Sequence, residues 1–456
     1  MPTKRSRISF GAATILSVLS FPPLCASESE QRPAAYEEPP VLKASDLLPT
    51  EMLSGPRYRV QEAVPTDGLL AWFTIDSDFG TLRAASPEMA KIRINEIGAL
   101  EQLESFETSD LAKDGFKRSA KELGDNLSHL IDEPEETLKG VPDGIGRFFK
   151  RTYRAAKTGV QTVQDRRTGP EEGGAVVAGP GANLPGAPVE PEQAPPDMST
   201  AEESARLAGK TTADIFGYST QRREIAKQLR VDPYTSNPVL AKRLDEVAWS
   251  GFSGGLGVTA LKALAPGSAL VSVTSSASNW VWDTPPGDLR VWNEQTLLGL
   301  GADQDSVDRF LRHPWYTLTL RTRLVKSLNA LQGVADRNSI LPLALSVTSF
   351  DQARFVVEST EMLSEIHGSI VPIGRLTADP TVAGWTANGL IVPAPVDAMS
   401  WTPMLYNFAH RPDLSVVERT IYIRGGATEL AQTQLAALGW RLRPWTGALD
   451  TGAETR

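Results

Sequence analysis

Residues 251–255, Gly-Phe-Ser-Gly-Gly, match the G-x-S-x-G pattern that exposes a nucleophilic serine, here Ser253. That pattern works as a tight turn with a strand before it and a helix after it. A periplasmic serine hydrolase built on Ser253 would also need a base. The chain has four histidines, His129, His313, His367 and His410, and no local feature selects one of them. Residues 242–249, just ahead, read as a helix rather than a strand. Hydrolysis at Ser253 is therefore the second reading. Overlapping it, residues 255–260 (Gly-Leu-Gly-Val-Thr-Ala) fit the G-x-G-x-x-A turn that cradles a dinucleotide phosphate. The preceding strand is missing for that role too. Glycines so spaced serve more simply to let backbones approach closely in a buried segment.

Metal chemistry finds little to work with. The histidines lack the i,i+4 spacing that sets two ligands on one helix face. Asp303, Asp305 and Asp308 invite a calcium reading, but the glycine and terminal glutamate of an EF-hand loop are missing. These acids fit a helix N-terminus, where the dipole favours them. Glu361 and Glu365 stand at i,i+4, a spacing common on solvated helix faces. The sequence calls for no metal and no cofactor.

The strongest signal for binding is a block of cations. Residues 140–159 carry Arg147, Lys150, Arg151, Arg154 and Lys157 against the single acid Asp143, in a chain of net charge −9. On a helix, Ile145, Phe148, Phe149, Thr152 and Ala156 lie along one side, and the cations take most of the rest. Such a helix suits a membrane interface, with phenylalanines among acyl chains and cations beside anionic head groups. It suits equally a protein partner, or a helix that closes its own domain by packing on a sheet. Trp280 and Trp282 are candidates for a ligand groove: read as a strand, the pair points to one face. The remaining tryptophans fit core and edge packing.

The ends of the chain set where this chemistry would operate. Lys4, Arg5 and Arg7, followed by the apolar run 8–21 and by Leu24-Cys25-Ala26, read as a signal peptide cleaved after Ala26. The protein is thus expected to be exported, into the periplasm. A retained anchor and lipidation at Cys25 are weaker readings, the latter because Leu24 is not small. Cleavage takes away three cations, no acid and the sole cysteine, so the mature charge falls to −12 and thiol chemistry disappears. That acidity disfavours nucleic acid as a partner. With 41% apolar residues, the chain can build an ordinary core without disulfides.

The elements that must position these residues form a mixed α+β pattern. A signal peptide (1–26) and a flexible tether (27–55) precede an N-terminal α+β region over 56–167. There, strands near 57–60 and 69–75 flank the turn 65–68, and the chain turns again at 78–80. Ser86-Pro87-Glu88 then opens an amphipathic helix. A second helix is expected near 111–131, and the basic helix ends the region. Residues 168–198, rich in Pro, Gly, Ala and Glu without periodicity, read as a disordered linker. The C-terminal domain, 199–446, is helix-rich and ends in a strand–helix–strand unit, with a tail at 447–456. Its expected strands include 370–373 and a hairpin closed by Asn388-Gly389.

Overall fold

The computed structural model describes residues 36–107, 212–253, 276–414, 418–445 and 447. β1 (Val41–Lys43) leads into the one-turn helix α1 (Ala44–Leu47), then β2 (Ser54–Gly55), β3 (Tyr58–Val60), β4 (Ala63–Pro65), β5 (Trp72–Ser77) and β6 (Gly80–Ala85). β1 pairs antiparallel with β4, and β2-β3-β5-β6 form a four-stranded antiparallel sheet. Alternation fixes its faces: Phe73 and Ile75 are fully buried, while Trp72, Thr74 and Asp76 point the other way. Between β4 and β5, Gly68 takes φ +91°, and a Cβ there would stand 2.6 Å from Thr402 Cγ2. The Asp67 carboxylate fastens that turn by accepting the Leu69 and Leu70 N–H groups at 2.9 and 2.8 Å.

α2 (Pro87–Glu107) begins where the sequence places it. Ser86 caps it, its Oγ accepting the Met89 N–H at 3.3 Å. The first turns of α2 lay Met89, Ala90 and Ile97 over Val60, Phe73 and Ile75 of the sheet. Its later turns carry Leu100 and Leu103 to a different cluster, shared with α3 (Thr212–Leu229) and α4 (Pro238–Ser253).

Helices follow in series: α5 (Ser276–Asp283), α6 (Pro286–Gly299), α7 (Gln304–Leu311), α8 (Leu318–Ala330), α9 (Ile340–Ser346) and α10 (Phe350–Ser369). The expected helix N-terminus at the 303–308 acids is present, with Asp303 Oδ1 accepting the Ser306 N–H at 2.9 Å. The last part comprises β7 (Arg375–Thr377), β8 (Ala383–Trp385), β9 (Leu390–Ala394), β10 (Ala398–Met399), α11 (Pro403–Ala409), β11 (Arg419–Ile423), β12 (Gly426–Ala427), α12 (Glu429–Ala437) and β13 (Trp440–Pro444). One mixed sheet runs β13-β11-β9-β8-β7, in which β9, β11 and β13 are parallel and β7-β8-β9 antiparallel. Both faces of its parallel part are covered. Leu390, Val392, Ile421 and Ile423 join Trp401, Leu405 and Leu435 on one side. Ile391 and Tyr422 meet Met362, Leu363 and Ile366 of α10 on the other.

The fold is mixed α+β, with the small N-terminal antiparallel sheet, the helix-rich middle and the strand–helix–strand ending all as expected. Several particulars differ. Residues 37–55, expected within a tether, are anchored: Ala44, Leu48 and Met52 are buried, and β1 is held by its pairing with β4. Residues 370–373 form no strand, because α10 continues to Ser369 and the edge strand β7 starts only at Arg375. The linker expected at 168–198, the second helix and the basic helix lie outside the described residues. The described residues on the two sides of that linker pack on one another through α2, α3 and α4.

Candidate functional site

In sheets with parallel strands, chemistry gathers at the carboxyl ends of the strands, where loops diverge. Here β9 runs out to Asp397 and β11 to Arg424. The two loops are knit together: the Gly425 N–H donates to Val396 O at 2.8 Å and the Gly426 N–H to Asp397 O at 3.0 Å. Only glycine fits at 425, because a Cβ would come within 2.1 Å of Asp397 O.

A cluster of charges converges on this point. Glu358, on α10 and 7% exposed, binds two guanidiniums at once. Its Oε1 accepts from Arg354 Nη1 at 3.1 Å and its Oε2 from Arg424 Nη2 at 2.9 Å. Those cations hold its carboxyl down at about 2 against the opposing pull of burial. Arg354 reaches further, donating to Ala85 O and, at 3.0 Å, to Ser86 Oγ. Ser86 itself sits at φ +93°, a strained setting for a residue with a Cβ. Arg424 also approaches Glu88 Oε2 at 3.4 Å.

Asp397 is the group set apart. Its carboxylate accepts one hydrogen bond, from the Ala71 N–H at 2.9 Å. Burial pushes its pKa up to about 7, and the like charge of Glu88 adds to the rise. One carboxyl held low beside one held high is a pattern seen where protons are exchanged. In this cluster both arginines are engaged by Glu358.

A second polar cluster joins α2 to the segment after α3. Glu96, 2% exposed, accepts from Arg93 Nη1 at 2.8 Å, from Asn237 Nδ2 at 3.0 Å and from Thr235 Oγ1. Asp232 accepts from Thr319 Oγ1 at 2.7 Å, and burial raises its pKa. The two clusters are linked electrostatically through Arg323, which pairs bidentately with Glu361 at 2.8 and 2.6 Å. Glu361 therefore faces α8 rather than solvent, unlike the solvated face its spacing with Glu365 suggests.

The residues singled out in the sequence lie apart from this cluster. Ser253 ends α4, so a helix occupies the place where a nucleophile elbow requires a strand. The glycine run after it lies outside the described residues, as does the whole basic block, including Ile145, Arg147, Phe148, Phe149, Lys150, Arg151, Arg154 and Lys157. Trp280 and Trp282 lie on helix α5, not on a strand, and so diverge. Trp282 is core, with Nε1 donating to Val231 O at 2.8 Å, and Trp280 meets Trp292 edge-on with centroids 4.6 Å apart. The three described histidines have separate local duties. His367 Nδ1 accepts the Ile373 N–H at 3.0 Å, His410 stacks on Tyr406 at 3.9 Å, and His313 lies against Tyr316. Among the described residues no group of three or more His, Cys, Asp or Glu is placed to hold a metal ion.

Asp397 and Arg424 carried a signal the sequence reading passed over. Each is a charged residue placed directly after an apolar run, in Val-Pro-Ala-Pro-Val-Asp and Ile-Tyr-Ile-Arg-Gly-Gly. No family model, curated protein or solved structure matches this chain.

Proposed function

We propose that this is an exported cell-envelope protein with a non-catalytic binding role, attached to an anionic membrane surface through the basic aromatic segment 145–157. One observation carries the reading. Residues 108–211, which hold this segment, connect α2 to α3, and those helices share one apolar cluster. A long connection between elements that pack together costs little extra closure entropy. The arginines near Asp397 are tied to carboxylates within the unit. Residues 140–159 hold the chain's concentrated block of cations, five against one acid in twenty residues. Ser253 at the end of a helix weighs against the hydrolase alternative.

The test is co-sedimentation of the mature protein with vesicles containing anionic lipid. Binding is expected at low salt and should weaken steeply as the Debye length shrinks from about 10 Å at 0.1 M to about 3 Å at 1 M. Phe148→Ala combined with Phe149→Ala should reduce binding and leave the thermal melt unchanged, since those rings would enter lipid. No salt-sensitive binding by the wild type, together with a destabilised double variant, would make the segment a packing helix. Absence of vesicle binding with an unchanged melt would instead turn the assignment toward a protein partner.

A further inference from the structure

β13 is one edge of the five-stranded mixed sheet: among the described residues it pairs with β11 alone. The phase of that ladder tells which backbone groups are spare. The Trp445 N–H donates to Ile423 O at 2.7 Å, and in a parallel pair successive residues turn alternately toward and away from the neighbour. Arg441, Arg443 and Trp445 therefore direct their backbone groups at β11. The N–H and C=O of Leu442 and the C=O of Pro444 point the other way, off the edge.

A groove of about 710 Å³ runs along that edge. One wall is β13, and the other is Gln432, Thr433 and Ala436 of α12, all exposed. α12 packs on the sheet through Ala431 and Leu435, beside Trp440 and Leu442, so its next face stands beyond the last strand. One more strand fits there, with α12 covering one of its faces. The opposite face of β13 presents Arg441 and Arg443, both exposed. Arg441 reaches Glu418 at 3.5 Å with 60% of its side chain still exposed, and Arg443 has no ion pair among the described residues.

Two arginines at alternate positions of an edge strand select the occupant. Antiparallel pairing of β13 with a second copy about Leu442 would set Arg441 of each copy opposite Arg443 of the other, and like charges directly opposite repel. A strand with carboxylates at alternate positions meets both cations at the cross-strand spacing where opposite charges attract. We propose that β13 is the docking edge for an extended acidic segment of a partner protein, which adds to the sheet as one further strand. Its alternate acidic residues pair with Arg441 and Arg443, and its intervening apolar residues lie against Gln432, Thr433 and Ala436. Main-chain bonds to Leu442 and Pro444 hold it, and the alternation sets specificity. This contact is separate from the basic segment 145–157 and does not depend on it.

The probe is a fluorescein-labelled peptide of about six residues alternating glutamate and valine, a length matched to β13, and its binding to the mature protein is read by fluorescence anisotropy. Saturable binding is expected, weaker by about tenfold or more for a lysine–valine peptide and for Arg441→Glu combined with Arg443→Glu. Those side chains are exposed, so the melt of the double variant should match the wild type. N-methylated peptides, tested on the wild-type chain, separate strand addition from simple charge attraction. Successive N–H groups of a strand face opposite sides, so methylating one alternate set should weaken binding about tenfold or more and the other set under about twofold. Equal effects of the two sets, or no binding at millimolar peptide, overturn the proposal. Binding only by a chain shortened to residue 447 would also overturn it, by making residues 448–456 the occupant. A concentration-dependent dimer that is lost in the double arginine variant would do the same, by making a second copy the occupant.

Discussion

Glu358→Gln is the sharpest probe of the charged seam. The wild-type carboxylate neutralises two guanidiniums that are themselves largely buried, Arg354 with 6% and Arg424 with 14% side-chain exposure. The amide keeps the shape and one acceptor but leaves both cations short of a counter-charge. Removing one partner of a buried pair costs roughly 3–5 kcal/mol. The pKa gives an independent figure. A carboxyl held at about 2 instead of 4.5 contributes about 3 kcal/mol at neutral pH, at 1.36 kcal/mol per unit. The two figures agree, and for a chain of this size they correspond to a loss of roughly 3–8 °C in Tm.

The sign of the pH dependence separates this from generic damage. A depressed carboxyl contributes stability above its unfolded pKa of 4.5, and that contribution is lost as pH falls towards 2. Urea unfolding followed by tryptophan fluorescence between pH 3 and pH 7 should show a steep acid limb in the wild type and a shallower one in Glu358→Gln. The gap between the two curves should narrow by about half towards pH 3. A variant within 1 kcal/mol of wild type at pH 7, or one with an equally steep acid limb, would refute the ion-triad reasoning.

Two further substitutions test neighbouring claims. Gly425→Ala would bring a methyl group within 2.1 Å of Asp397 O, so the two loops must part; a loss of about 2–4 kcal/mol in thermal melts is expected, and a Tm within 2 °C of wild type would show that the loops are not locked together. Trp282→Phe removes the bond to Val231 O and leaves a buried acceptor unpaired, at a cost of about 1–3 kcal/mol. An unchanged melt would return Trp282 to the list of groove residues.

What was legible in the sequence was whatever repeats with a fixed period or announces itself with a capping residue. Ser86-Pro87-Glu88 marked the start of α2, Asn388-Gly389 marked the turn between β8 and β9, and the alternation in Thr-Ile-Tyr-Ile marked β11. Trp280-Val281-Trp282 misled because three residues cannot distinguish a two-residue from a 3.6-residue repeat; the surrounding Ser276–Asp283 turns settle it as helix. The strand expected at 370–373 failed for a related reason. Its β-branched residues are overridden by the end of α10, where the Ile370 and Val371 N–H groups both donate to Ile366 O. The charged seam was out of reach because its partners are far apart along the chain. Arg354 meets Ser86 across 268 positions and Asp397 meets Ala71 across 326, and no local pattern encodes such pairs.

Glu358 and Asp397 also pull in opposite directions, and their combination says what conditions the seam suits. Glu358 contributes stability that builds as pH rises from about 2 to 4.5 and is constant above that, whereas burial of Asp397 favours its protonated form up to about 7. Together they are most favourable near pH 4–5. Burial raises the pKa of Asp232 and of Asp351 as well, which tilts the balance to the same side. The overall charge acts in that direction too, because a chain at −9 sheds like-charge repulsion as its carboxylates protonate. The seam between the N-terminal sheet and the parallel strands is thus built of groups that tighten in mild acid, with Glu358 setting the lower limit.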